Sequence, residues 1–182
     1  MKPVKSTKII LAVAAGLALA LPAAAQQVTM MTGPQGGSWV PLGGALKFMW
    51  EKAVPGLQIQ QTPGAGIANV RGVDEGKAQI GFANSSTTVD GLAGRPPYPK
   101  KVTKVCQVAN LYPQYFQVAA LADAKIDSYA DLKGKALVTQ PKGNTAEALT
   151  AEILKLNGLS YQSLSKANFQ ADRKSTRLNS SH

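Results

Sequence analysis

Thr32-Gly33-Pro34-Gln35-Gly36-Gly37-Ser38-Trp39-Val40-Pro41-Leu42-Gly43-Gly44 decides how the rest of the chain is read. Gln27 to Thr32 before it are extended-prone, and from Trp39 the apolar residues Leu42, Leu46, Met49, Trp50 and Val54 recur at helical spacing. The stretch is therefore a glycine-rich turn between a predicted strand and a predicted helix. Glycines there allow positive φ and close approach to the backbone, while the helix start presents unpaired N–H groups and a partial positive charge. An anion cradle is the functional reading, and a plain turn is the alternative. The NTPase phosphate loop is excluded, because Gly37 is followed by Ser38 and Trp39 instead of Lys and Ser/Thr.

Working outward, Leu57–Thr62 alternates as a second strand, and Pro63-Gly64-Ala65-Gly66 turns into a helix carrying Val70 and Val73 and ending near Gly76. Ala78–Ala83 reads as a third strand, followed by the hydroxyl-rich tip Asn84-Ser85-Ser86-Thr87-Thr88 and a helix with Val89 and Leu92. The first helix is expected over Pro41–Val54, with Ser38 as its cap and Pro41 tolerated in its first turn. Strand and helix alternating at this density predict parallel β-α-β units, hence an α/β fold.

The prolines of Gly94–Pro99 exclude helix. Val102–Leu111 and Phe116–Leu121 then read as two strands around Tyr112-Pro113-Gln114-Tyr115. Ile126–Gly134 predicts a short capped helix, and Lys135–Thr139 a strand. Gln140-Pro141-Lys142-Gly143-Asn144-Thr145 is a second polar loop before a helix over Ala146–Leu156, with Ala148, Leu149, Ile153 and Leu156 expected inward. Three polar tips thus stand between a strand and a helix start: Gly36 to Trp39, Asn84 to Thr87, and Gly143 to Thr145. Ligands collect at such strand ends in open parallel sheets.

The two ends read differently. Lys2, Lys5 and Lys8, the apolar run Ile9–Leu21, and Pro22-Ala23-Ala24-Ala25 have the order of a secretory signal, with cleavage expected between Ala25 and Gln26. The run is shorter than the roughly 20 residues of a spanning helix. A mature protein exported to the periplasm, without stable membrane insertion, is the expectation. Residues 172–182, Asp172 to His182, resemble the in-frame translation of a short-read sequencing adapter and are read as non-native, which makes the chain an N-terminal fragment of a longer product. Unfinished cores in such a fragment predict exposed apolar faces.

Excluding both ends changes the chemistry. The one histidine, His182, lies in the tail, so histidine triads and histidine metal sites drop out. The formal charge is +10, from 20 basic and 10 acidic residues. Three basic residues fall in the signal, three in the tail, and one acid in the tail, leaving 14 against 9 and a net charge near +5. A mild excess, scattered apart from Lys100, Lys101 and Lys104, fits small anionic ligands better than nucleic acid. Cys106, alone in Val105-Cys106-Gln107-Val108, reads as a buried structural thiol on a strand. Asp74, Glu75, Asp90, Asp127 and Glu147 read as solvent-facing acids without catalytic partners.

Gly36-Gly37-Ser38-Trp39-Val40-Pro41-Leu42-Gly43, Gly81-Phe82-Ala83-Asn84, Leu111-Tyr112-Pro113 and Asp131-Leu132-Lys133-Gly134-Lys135, in that order, resemble the TAXI family of solute receptors for TRAP transporters, over Val28 to Phe169. The resemblance implies a type II periplasmic-binding-protein fold, with residues 26–112 in the first lobe, 113–171 in an incomplete second lobe, and a hinge between them. It implies a small, carboxylate-bearing solute handed to the membrane subunits of a TRAP transporter, with no cofactor, no metal and no catalysis. Carried over by position, Gly36, Gly37, Ser38, Trp39, Asn84, Ser85, Gly143, Asn144 and Thr145 line the cleft. Backbone N–H groups and the Ser38, Ser85 and Thr145 hydroxyls would hold the carboxylate, and Trp39 would pack on its apolar part. Trp39 stands where family members commonly carry tyrosine, and Ser86 where an acid is common, which removes the expected contact to a ligand amino group. An exported enzyme on a similar fold and a ligand-sensing domain signalling to a membrane partner are the competing readings.

Overall fold

The computed structural model describes residues 26–169. Strand β1 (Gln26–Met31) pairs in parallel with β2 (Leu57–Thr62), from Gln26 opposite Leu57 to Met31 opposite Thr62. On its other edge β1 pairs in parallel with β3 (Ile80–Gly81), giving the order β2-β1-β3. Helices α1 (Trp39–Ala53) and α2 (Gly66–Asp74) are the crossovers, and α3 (Ser85–Ala93) follows β3. A second parallel pair, β4 (Ala136–Thr139) with β5 (Lys166–Phe169), is linked by α4 (Thr145–Leu156).

The pleat of β1 sorts its side chains between two helices. Val28 and Met30 point to one face, where with Ile59 and Phe82 they meet Leu42, Leu46 and Trp50 of α1. Met31 points to the opposite face, against α2. A Cβ built on Gly72 would fall 2.5 Å from the Met31 sulfur, so the helix approaches the sheet only because that position is glycine. A second core joins Ile67 and Val70 of α2 to Tyr98 and Val102, and a third joins Leu132, Leu154 and Leu164 around β4 and β5.

Asn69 ties the strand ends together. It is fully buried, and its Nδ2 donates to the carbonyls of Thr32 at 2.7 Å and Phe82 at 2.8 Å, while its Oδ1 accepts from Ala65 N–H at 3.0 Å. One side chain therefore holds the exits of β1 and β3 and the entry to α2 in a fixed relation. Gly64 makes room for it, since a Cβ there would lie 2.0 Å from Asn69 Oδ1.

Several elements differ from the sequence reading. Helix α1 begins at Trp39, two residues before Pro41, and ends at Ala53; Ser38 has helical angles and makes no side-chain cap bond. The third strand is confined to Ile80–Gly81, and Ser85–Thr88 form the first turn of α3 instead of a loop. The expected helix over Ile126–Gly134 is one 3-10 turn, Tyr129–Leu132, with a Ser128/Asp131 capping box.

Neither Val102–Leu111 nor Phe116–Leu121 forms a strand. Apolar alternation makes a strand only where a neighbour completes the ladder, and none lies beside these segments among the described residues. Val108 is accordingly 87% exposed, and Cys106 is exposed instead of buried. On α4 the buried positions are Thr145, Thr150 and Leu154, whereas Leu149 and Leu156 face outward, Leu156 being 76% exposed. A two-stranded sheet covers only a narrow strip of that helix, and Thr150 Oγ1 takes the strip's polar place, 2.9 Å from Thr139 Oγ1.

Candidate functional site

The starts of α1, α3 and α4 meet on one cavity of about 390 Å³, with the α2 start packed behind its wall, where Gly66 faces Thr145, Asn84 and Trp39. Gly37, Ser38 and Trp39 reach its wall from the α1 start, Asn84 from the α3 start, and Asn144 and Thr145 from the α4 start. Of the remaining predicted residues, Gly36 and Gly143 adjoin this wall in sequence without lining it. Both adopt left-handed backbone, at φ 83° and 87°, and so shape the turns that present their neighbours. Ser85 lines the adjoining, more apolar cavity of about 570 Å³.

The wall's chemistry is neutral. Among the described residues that line it, none is a lysine, arginine, aspartate or glutamate. Polarity comes instead from side-chain amides, hydroxyls and helix starts. Among the described residues, α1, α2 and α3 have no side-chain cap bond, while α4 has one, Asn144 Oδ1 accepting from Ala146 N–H at 3.0 Å. Uncapped N–H groups at the starts of helices leave donors and the positive dipole end available to an anion.

Thr145 is the most informative residue. It is 7% exposed, and its Oγ1 has no hydrogen-bond partner among the described residues. Gln140 Oε1, on the same wall, is also buried without a partner. A buried hydroxyl left unbonded costs about 1–3 kcal/mol, so two such groups on one cavity mark a place built to be completed by something else.

Trp39 sits between the two cavities. Its ring stacks on Phe82 with centroids 5.7 Å apart, and its Nε1–H donates to Tyr112 Oη at 2.8 Å. Gln114 Nε2 donates to the same Tyr112 oxygen at 3.0 Å, and Asn84 Nδ2 donates to Gln114 Oε1. This chain of bonds fastens the α1 and α3 starts to the 112–114 turn. Gly33 permits the arrangement, since a Cβ there would lie 3.0 Å from Trp39 Cβ.

Of the wall's residues, sequence reasoning missed Gly33, Pro34, Gln114, Tyr115, Phe116, Gln140, Ala146 and Leu149, and it missed Gly66, which stands behind the wall. Gly33 and Pro34 stood inside the opening stretch, and Gly66 ends a strand-to-helix turn of the same kind as the others, so a signal existed for them. Gln114, Tyr115 and Phe116 carried none, because they come from a connector whose path is set by tertiary contacts.

None of the five acids weighed for catalysis lines the cavity. Backbone N–H groups of Lys104 and then Thr103 hold the Asp74 carboxyl below its usual range. Hydrogen bonding to Lys77 and then its charge do the same for Glu75. Asp90 pairs with Arg95 at 2.7 Å. Glu147 Oε1 accepts from Tyr161 Oη at 3.1 Å, and burial, then the Glu147 charge, push the Tyr161 phenol upward. Among the described residues no group of three or more His, Cys, Asp or Glu is placed to hold a metal ion.

Parallel α/β units whose helix starts meet on a neutral, hydrogen-bonding cavity define a domain suited to holding a small ligand. Residues 30–179 match the NMT1-like family, and the chain belongs to that family, a periplasmic solute-binding family. The match begins near the end of β1, covers the other strands of both sheets and runs on into residues 172–179. The family's role is extracytoplasmic solute binding, with a small solute and a membrane transporter as partners. Among the described residues no helix is long and apolar enough to cross a membrane. The signal read over residues 1–25 and the tail over 172–182 lie outside the described residues.

Proposed function

We propose that this protein is a periplasmic receptor of the TAXI kind. It holds a small carboxylate-bearing solute between two lobes, residues 26–112 and 113–171, and delivers it to the membrane subunits of a TRAP-type permease. Removal of residues 1–25 after Ala25 frees it into the periplasm.

The observation that carries the reading is the buried, unpartnered Thr145 hydroxyl on a wall free of formal charge, beside uncapped helix starts. Such a wall offers donors without a competing carboxylate, and a ligand anion completes it. Ser38 and Ser85 supply further hydroxyls, the backbone at Gly36, Gly37, Gly143 and Asn144 shapes the loops, and the Trp39 ring covers the apolar part of the solute. Closure of the lobes then removes the solute from water and forms the face that the permease reads. Neither a cofactor nor a metal takes part.

Titration calorimetry of the uninterrupted gene product with a panel of mono-, di- and tricarboxylates tests the proposal. A carboxylate that binds tightly, and binds about tenfold more weakly to Thr145→Val, supports it, since one charge-assisted hydrogen bond is worth about 1.5–3 kcal/mol. Equal affinity in the variant removes the assigned contact, and a panel without a binder removes the ligand class.

A further inference from the structure

We propose that Gly66 is the clearance that sets how closely the α4 start approaches the α2 start, and so fixes where the Thr145 hydroxyl stands on the cavity wall. Its consequence for binding rests on the receptor reading above, whereas its geometry does not.

Gly66 is buried at the first position of α2, and it is not among the glycines with left-handed backbone, so conformational freedom is not what the position requires. Space is. A Cβ at this position would lie 2.6 Å from Thr145 Oγ1, 3.1 Å from Asn84 Oδ1 and 3.7 Å from the Trp39 ring. These atoms belong to the starts of three other helices, and all three residues line the cavity.

The closest atom cannot swing away cheaply. Thr145 is only 7% exposed, so turning χ1 trades its Oγ1 for its methyl against neighbours that are equally close-packed. Beyond it the two helices are already in contact. Ala68 N–H donates to Gly143 O at 3.4 Å, and Ala148 packs against the core of Ile67 and Val70. A methyl at position 66 is therefore accommodated by sliding α4 off α2. Every lining group keeps its chemistry while the Thr145 hydroxyl, unpartnered within the protein, moves out of place.

A disulfide between positions 68 and 143 reads this seam directly. A Cβ built on Gly143 lies 4.0 Å from Ala68 Cβ, inside the roughly 3.5–4.5 Å span of disulfides; Gly143 has left-handed backbone, so its cysteine is strained, equally in every variant compared, and only ratios between variants are read. In the full-length chain carrying Cys106→Ser, Ala68→Cys and Gly143→Cys, the effective concentration of the pair is measured against a glutathione redox buffer. Gly66→Ala is expected to lower it at least fivefold. Adding Thr145→Ala, which removes the atom the methyl meets, is expected to restore it to within twofold, while Thr145→Ser is expected to leave it low.

An unchanged value in Gly66→Ala, or a loss that Thr145→Ala leaves in place, overturns the proposal; where the strained parent pair does not oxidise, the same comparison is made on urea midpoints without the added cysteines, and an unchanged midpoint in Gly66→Ala or one that Thr145→Ala fails to restore overturns it. If Gly66→Ala fails to fold, the same suppressor must restore folding, and failure to do so overturns it as well. Titration with acetate, succinate and citrate separates the two claims. The expected disulfide pattern with no binding by any of the three retains the clearance and removes the receptor reading for those carboxylates. Equal binding to parent and Gly66→Ala, with an unchanged disulfide, does the reverse. Binding about tenfold weaker in Gly66→Ala supports both.

Discussion

Replacing Asn69 with alanine should destabilise the protein by about 3–5 kcal/mol. The side chain makes three bonds of 2.7, 2.8 and 3.0 Å, to the carbonyls of Thr32 and Phe82 and from the N–H of Ala65, and a longer fourth, 3.3 Å, to the carbonyl of Met31. Leaving a buried backbone group unbonded costs about 1–3 kcal/mol. The three short bonds lost, with the long one to Met31 adding little and water entering the space the amide vacates relieving part of the cost, give the range stated. Against a typical total of about 5–15 kcal/mol the effect is large. Asn69→Asp sharpens the test, because it keeps the acceptor for Ala65 and nearly the same volume but sets an anionic oxygen against three carbonyl oxygens. Its loss should equal or exceed that of alanine at neutral pH. Urea unfolding followed by tryptophan fluorescence is suited to the measurement, since the chain's two tryptophans, Trp39 and Trp50, both pack on the first core. A loss under about 1 kcal/mol for Asn69→Ala, or a milder effect for aspartate than for alanine, would refute the account of how the strand ends are held.

Other consequences can be measured alongside. Gly43→Ala places a methyl 2.5 Å from Thr32 Cγ2 and should lift α1 from the sheet, lowering the urea midpoint by the equivalent of about 1–3 kcal/mol. Thr145→Val should leave thermal stability unchanged or raised, because it removes an unbonded buried hydroxyl, even as carboxylate affinity falls. A fall in both would recast Thr145 as a structural residue. The Glu51 carboxyl is held below its ordinary 4.5, first by the Ile59 N–H and then by Lys47. A lowered folded value means that this contribution is complete above the unfolded pKa and is lost as pH falls through the folded one. Glu51→Gln should therefore flatten the decline of the urea midpoint below about pH 4.5, and an unchanged acid limb would sink that assignment.

Legibility followed the range of the forces involved. Leu57–Thr62 was readable to the residue, because alternation, the preceding Pro55-Gly56 and the following Pro63-Gly64 all act within a few positions. The β-α-β order followed from the same local signals, and the polar turns marked where helices begin. Val102–Leu111 shows the opposite case. Its valines favour extended backbone as strongly, yet among the described residues no strand pairs with it, since a ladder depends on a second strand distant in sequence.

Sequence alone determined the alternation of parallel strands and helices, the exclusion of histidine chemistry from the body, and the placing of glycine and hydroxyl residues at helix starts. These depend on backbone preference and hydrophobic period, which each residue carries with it. Tertiary structure alone decided that the Gly37, Asn84 and Thr145 turns share one cavity, that Gln114 and Gln140 join them, and that the Thr145 hydroxyl is buried without a partner. Convergence depends on the stacking of helices across sheets, where a single absent Cβ at Gly66 fixes distances between residues nearly eighty positions apart, from Gly66 to Thr145.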